Sequence, residues 1–300
     1  MSFNLVALPV QSVGAGSGRH SDVARLAEAL TVELAGEKID LPSFPDVATR
    51  VRRALTNDQV DVEQVVRIVS AEPALAARLL QLANSAALNP NGRRLTDLRT
   101  AVSRIGFNMA RSAAIAFAMS QLRRAEAYKG VAEPLAELWE HSVHVAAMCH
   151  LVAKRFTRIN SDTALLTGLL QGVGKLYLLT RAVRFPAVLA DAGTYQQLVA
   201  EWHGRLAQAI LRNWDLSDDI IDAVAASENL DREHEGTTDL IDVLTVANAM
   251  TALGPAPQPA DMLFLGSPAA RRMKLDAEVC ALALTESQVA IASLRQALGT

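Results

Sequence analysis

Few stretches of this chain combine residue types that could do chemistry. His141 and His144 stand three residues apart, with Cys149 and His150 following. Imidazoles at i and i+3 share a helix face and, with a thiolate, could hold zinc. Cys149 and His150, at i+5 and i+6 from His144, lie partly around the helix, and no carboxylate repeats the spacing. A satisfied core His141 and a surface His144 are therefore expected. Lys175 follows Gly174 as in a phosphate loop, but Leu169 and Leu176 stand where that loop needs glycine and a hydroxyl residue, and no strand precedes. The glycines of "VGAGSGR" match a dinucleotide loop only loosely, with no βαβ pattern after them. His203, beside Trp202, is expected to pack and hydrogen-bond. A Ser-His-Asp triad needs no sequence proximity and stays open, although a GxSxG nucleophile elbow is absent.

The elements that must position these residues are helices. Half of the residues are hydrophobic, mostly Ala, Leu and Val, and only 4% are aromatic; that composition favours an all-α core. Apolar residues recur at helical spacing from near Ser21, after Pro45, from Val62, after Pro73 and from Pro134 onward. Asp61 with Gln64 resembles a capping box, and Gly106 ends one helix. Asn84-Ser85, at the end of a leucine-rich helix, is expected to bond backbone there. "GPAPQPA", residues 254–260, is linker-like, and the last apolar stretch reads as a helix packed back onto the body. The segment "SDTALLTGLLQGVGKLYLL" poses a question. Ser161 can cap it and Ala164, Leu165, Leu169 and Leu170 share a face, yet Gly172 and Gly174 interrupt it, each costing about 1 kcal/mol against Ala.

Net charge is −3, which gives no global field for nucleic acid or an anionic membrane. Arg93-Arg94, Arg123-Arg124 and Arg271-Arg272 read as solvated surface. The N-terminus lacks a basic leader and no segment reads as a membrane span, so a cytoplasmic protein is expected. Cys149 and Cys280 read as reduced, buried, small hydrophobes.

"LPSFPDVATRVRRAL", "IVSAEPALAARLLQLANSAAL" and "LTDLRTAVSRIGFNMARSAAIA" together resemble the HDOD domain, a bacterial signalling module related to metal-dependent HD phosphohydrolases. Leu41-Pro42 with Pro45, Glu72-Pro73-Ala74-Leu75 with Asn84-Ser85, and Ala101-Val102 with Ile105-Gly106 carry its motifs, over about residues 38–253. The resemblance implies a two-lobed helical bundle: a tail over 1–19, an N-terminal lobe over 20–128, an HD-like lobe over 129–255 and a helical extension over 256–300. It also implies where a catalytic relative would hold its metals. The His-Asp pair of that relative is here Gln171-Gly172, its downstream aspartate is Asn248, and its paired histidines are Ser227-Glu228. His141, Lys175 and His203 remain at family-like positions. A neutral amide and a glycine are poor substitutes for ligands that must offer lone pairs or negative charge. The resemblance thus implies a non-enzymatic regulatory scaffold without cofactor, whose partners are proteins of two-component or cyclic-dinucleotide signalling. The alternative is a residual phosphohydrolase, or a nucleotide module using Lys175, His141 and Arg181 as phosphate contacts. On this reading the two glycines are the inherited bend of a metal-site helix.

Overall fold

Short runs of Ala, Leu and Val between caps and prolines give helices throughout the computed structural model, which describes residues 17–36, 39, 50–51, 53–54, 60–90, 92–253 and 262–298. There is no strand among them. The Leu41-Pro42 and Pro45 motif, residues 1–16 of the expected tail, and the 254–260 break lie outside the described residues.

The first lobe is built on α2 (Val62–Ser70), α3 (Pro73–Ala83) and α4 (Leu98–Arg124). Asp61 caps α2, its carboxylate accepting the Gln64 amide at 2.7 Å, and Pro73 opens α3, where its missing N–H costs nothing. Leu75, Leu79 and Leu82 are wholly buried. Gly106 breaks α4 at φ 75°, ψ 174°, a left-handed conformation that a side chain resists. The expected helix end is thus a kink, with the second segment continuing to Arg124.

A short 3₁₀ turn (Glu126–Val131) leads into the remaining helices of the body: α5 (Ala132–Phe156), α6 (Ser161–Leu170), α7 (Val173–Ala182), α8 (Pro186–Leu189), α9 (Ala192–Asn213), α10 (Asp218–Ala226) and α11 (Leu240–Thr251). Every residue of α6 from Ala164 to Leu170 is buried, so the helix is central and has no solvent face. It packs on α4, α5, α10 and α11. Its cap is Asn160, one residue before the expected Ser161, because the Asn160 Oδ1 reaches the amides of Asp162 at 3.0 Å and Thr163 at 2.9 Å.

α1 (Ser17–Ala35) begins four residues earlier than the periodicity predicts and docks on α7 and α8. There Arg181 reaches Glu33 Oε1 at 2.9 Å, and the Tyr177 hydroxyl donates to Glu33 Oε2 at 2.7 Å. After α12 (Pro268–Arg272), α13 (Ala277–Leu298) lies across α3, α4 and α5. Arg78 donates to the Leu298 carbonyl at 2.7 Å and the Ala86 amide to Ser293 Oγ at 2.8 Å. α13 has no unbroken apolar run of spanning length, yet it is long and apolar enough to cross a membrane by length and composition, with mean hydropathy 1.3. Its Leu, Val, Ile and Ala residues, interrupted by few charges, produce that value, and Leu282 and Val289 are exposed on its outer side.

Candidate functional site

The break between α6 and α7 occupies two residues, Gln171 and Gly172. Gly172 has φ −86°, ψ 1°, which any residue can adopt, so bending does not require glycine. Space there is tight but can yield: a Cβ at 172 would stand 2.7 Å from Ser142 Oγ, the end of a side chain that can rotate, and 3.6 Å from Leu138 Cδ1. Beside it lies a partly open apolar cavity walled by Leu138, Trp139, Ser142, Leu170 and Trp214. Gly174 sits inside α7 instead of at the bend. A Cβ there would lie 2.0 Å from the His203 carbonyl oxygen, so α7 and α9 touch backbone to backbone. Gly168 does the same for α6 and α5, where a Cβ would meet Ala146 Cα at 2.7 Å. The expected bend falls at Gly172, whereas Gly174 and Gly168 are there for close helix approach.

The backbone contact at Gly174 brings Lys175 and His203 to the same side of the α7–α9 seam. Glu228, just beyond α10, completes the group. Lys175 Nζ donates to Glu228 Oε1 at 2.9 Å, and His203 Nε2 lies 3.2 Å from Glu228 Oε2. The His203 hydrogen bond and then the Lys175 charge outweigh partial burial and hold the Glu228 carboxyl down to about 2. With His203 Nε2–H donating to that carboxylate, its Nδ1 is buried without a partner. His141, on α5, is half-buried; burial, followed by the charges of Lys175 and His144, lowers its imidazole to about 4. It is therefore neutral at pH 7. Gln171 is buried. The Ser227 carbonyl accepts the Thr245 hydroxyl at 3.2 Å, joining α10 to α11. Among the described residues, the Asn248 side chain forms no hydrogen bond with this group. Arg181 lies apart from Lys175, held by Glu33 and by the Tyr177 hydroxyl at 2.9 Å.

The expected surface His144 is instead half-buried, and burial, then Arg295, lowers its pKa. Arg295 belongs to α13, whose docking covers that side of α5 and was not legible locally. His150 is buried with Nδ1 3.3 Å from the Ser161 carbonyl, and burial lowers it to about 4. Cys149 is buried against Gly168, with its thiol pushed up by burial, and Cys280 is buried too, pushed up to about 11. Neither thiol is poised as a thiolate.

A second polar cluster escaped the sequence reading. His234 Nε2 lies 3.0 Å from Asp242 Oδ2 and 3.6 Å from Asp239 Oδ2, a grouping that could hold a cation. Its charges are already balanced. Arg232 grips both Asp239 oxygens at 3.1 and 2.6 Å, and Arg272 grips both Asp242 oxygens at 2.9 and 2.6 Å. Burial raises the Asp242 carboxyl, but the Arg272 and His234 bonds outweigh it and hold it below its ordinary value. The cluster ties the Arg232–Asp239 loop and α12 to the start of α11. The dense charge run "DREHEGTTDLID" was its only sequence signal.

A family model described as the HDOD domain matches residues 41–230. The fold resembles a solved protein from Shewanella amazonensis SB2B named as a presumed metal-dependent phosphohydrolase, with TM-score 0.74 and 24% identity over 94% of this chain and 100% of that one. It also resembles an HDOD domain protein with unknown function from Geobacter sulfurreducens, with TM-score 0.62 and 19% identity over 93% and 97%. A protein of Treponema pallidum (strain Nichols) with no assigned function is 21% identical over 244 residues, 77% of this chain. The chain spans about half the length of that relative, 46%.

Proposed function

Because this chain belongs to the HDOD domain family, we propose that it is a non-catalytic signalling scaffold that acts by binding other proteins. The observation that carries the reading is the Lys175–Glu228–His203 group. Where a catalytic HD relative needs several negative or lone-pair ligands turned toward a cation, this chain offers the Gln171 amide and no side chain at Gly172. The carboxylate nearby, Glu228, is already neutralised by an ammonium at 2.9 Å. A divalent cation would have to displace Lys175 and would still lack a bridging carboxylate. The residues do not fit a catalytic metal pair. The same pairing weighs against phosphate binding, since Lys175 is occupied by Glu228 and Arg181 by Glu33. Two-component or cyclic-dinucleotide pathways are the signalling contexts in which such a scaffold would find its partners.

The Gln171→His, Gly172→Asp double variant tests the reading. Metal-dependent cleavage of a phosphodiester such as bis(p-nitrophenyl) phosphate should stay at background, because Ser227, Glu228 and Asn248 leave the ligand set incomplete. Metal-dependent turnover by the double variant, absent from the parent, would show that the remaining ligands are present.

A further inference from the structure

We propose that the loop carrying Arg93 and Arg94 is a preformed docking element for an acidic segment of a partner protein. This rests on the scaffold reading and names the chemistry of one partner surface.

The turn after α3 is held by two asparagine side chains, Asn84 partly buried and Asn89 buried. Asn84 Nδ2 donates to the carbonyls of Leu80 and Leu95, both at 2.8 Å, and Asn84 Oδ1 accepts the Leu95 amide at 2.7 Å. Asn89, only 4% exposed, donates to the Arg93 carbonyl at 2.8 Å. Gly92 turns the chain at φ 70°, and Asp97 caps α4 by accepting the Thr100 amide at 2.7 Å. The backbone is thus pinned on both sides of the Arg93–Arg94 peptide. The two side chains are exposed and have no partner among the described residues.

A loop tied from beneath and presenting two exposed guanidinium groups loses little conformational freedom on binding. Charge distribution points the same way. Residues 60–128 carry nine arginines and no lysine against five acidic residues, a net +4, so the rest of the chain stands at −7 for the total of −3. Arginine's planar fork matches carboxylates two bonds at a time. Residues 60–106 contain no aromatic side chain on which bases could stack, which favours an acidic protein segment over single-stranded nucleic acid.

The test uses the full chain and a fluorescein-labelled peptide of alternating serine and glutamate, read by anisotropy at low and physiological salt. Arg93→Glu with Arg94→Glu should weaken binding by at least about tenfold. Arg158→Glu with Arg184→Glu, an equal charge change at exposed arginines outside residues 60–128, should change it by less than about twofold. Asn89→Ala keeps both arginines but frees the loop, and should weaken binding several-fold with the circular-dichroism spectrum unchanged. Equal losses from the two charge-reversal pairs would reduce the effect to net charge and overturn the proposal, as would unchanged binding in the Asn89 variant. Tighter binding of a single-stranded oligonucleotide of the same charge would assign the loop to nucleic acid instead. None of these results bears on metal content, so failure here leaves the non-catalytic reading to its own test.

Discussion

Gly174→Ala is expected to destabilise the protein by ~3 kcal/mol or more, although the same change in an ordinary helix interior stabilises by about 1 kcal/mol. The two effects have opposite signs, which makes the result diagnostic. The new methyl would stand 2.0 Å from the His203 carbonyl oxygen, 2.8 Å from its carbon and 3.0 Å from the Ala207 amide nitrogen. These are backbone atoms of α9, so no rotamer change relieves the clash and the α7–α9 seam must open. Gly204, also on α9, faces open space: a methyl there would meet no atom within 4 Å. Gly204→Ala should therefore show the ordinary stabilisation of several tenths to about 1 kcal/mol. Chemical denaturation of the two variants beside the parent measures both. A stabilised Gly174→Ala protein would mean that the helices do not touch there.

Acid should weaken the fold well before the carboxylates titrate. Burial lowers His141 and His150 from the ordinary 6.5 to about 4. The folded state then holds fewer protons than the unfolded state between these values. Stability is complete above about pH 6.5 and falls as pH drops toward 4. For His150, buried at 5% exposure, the loss across that interval is on the order of 3 kcal/mol; the half-buried His141 adds a smaller amount. Asp162, whose carboxyl burial raises, offsets part of this near the acid end. Glu228 adds a further loss below its unfolded value, down to about 2. Denaturation midpoints from pH 7 to pH 4 should show the slope, and His150→Gln should flatten it. A flat profile over that range would contradict the burial of both imidazoles.

The clash at Gly174 and the burial of His144 also mark what one sequence could not show. The helical class, the Asp61 cap, the break at Gly106 and the backbone role of Asn84 were legible because each is decided within a few residues. At Gly174 the lysine after it suggested phosphate chemistry and its neighbour Gly172 suggested a bend, whereas the reason for glycine lies in His203, on another helix. Glu228 could be placed at a lost histidine position, but not seen to meet Lys175, 53 residues away. His144 read as surface because α13 covers it from the far end of the chain. Arg181 entered the nucleotide alternative as a phosphate contact because its partner, Glu33, lies on α1, which packs on α7 and α8 across a long stretch of sequence. Charge pairing and close approach between distant helices leave no periodic trace, so they emerge only from the fold.

Metal content of the native protein tests the central claim most directly. The full chain, purified without chelator and loaded with excess Mn, Fe, Ni or Zn before desalting, should retain each metal far below one ion per chain. It should also give no phosphodiester cleavage above a metal-only control. One or two tightly held ions per chain, with cleavage that a chelator abolishes and the metal restores, would contradict the account and make the Lys175–Glu228–His203 group part of a working phosphohydrolase.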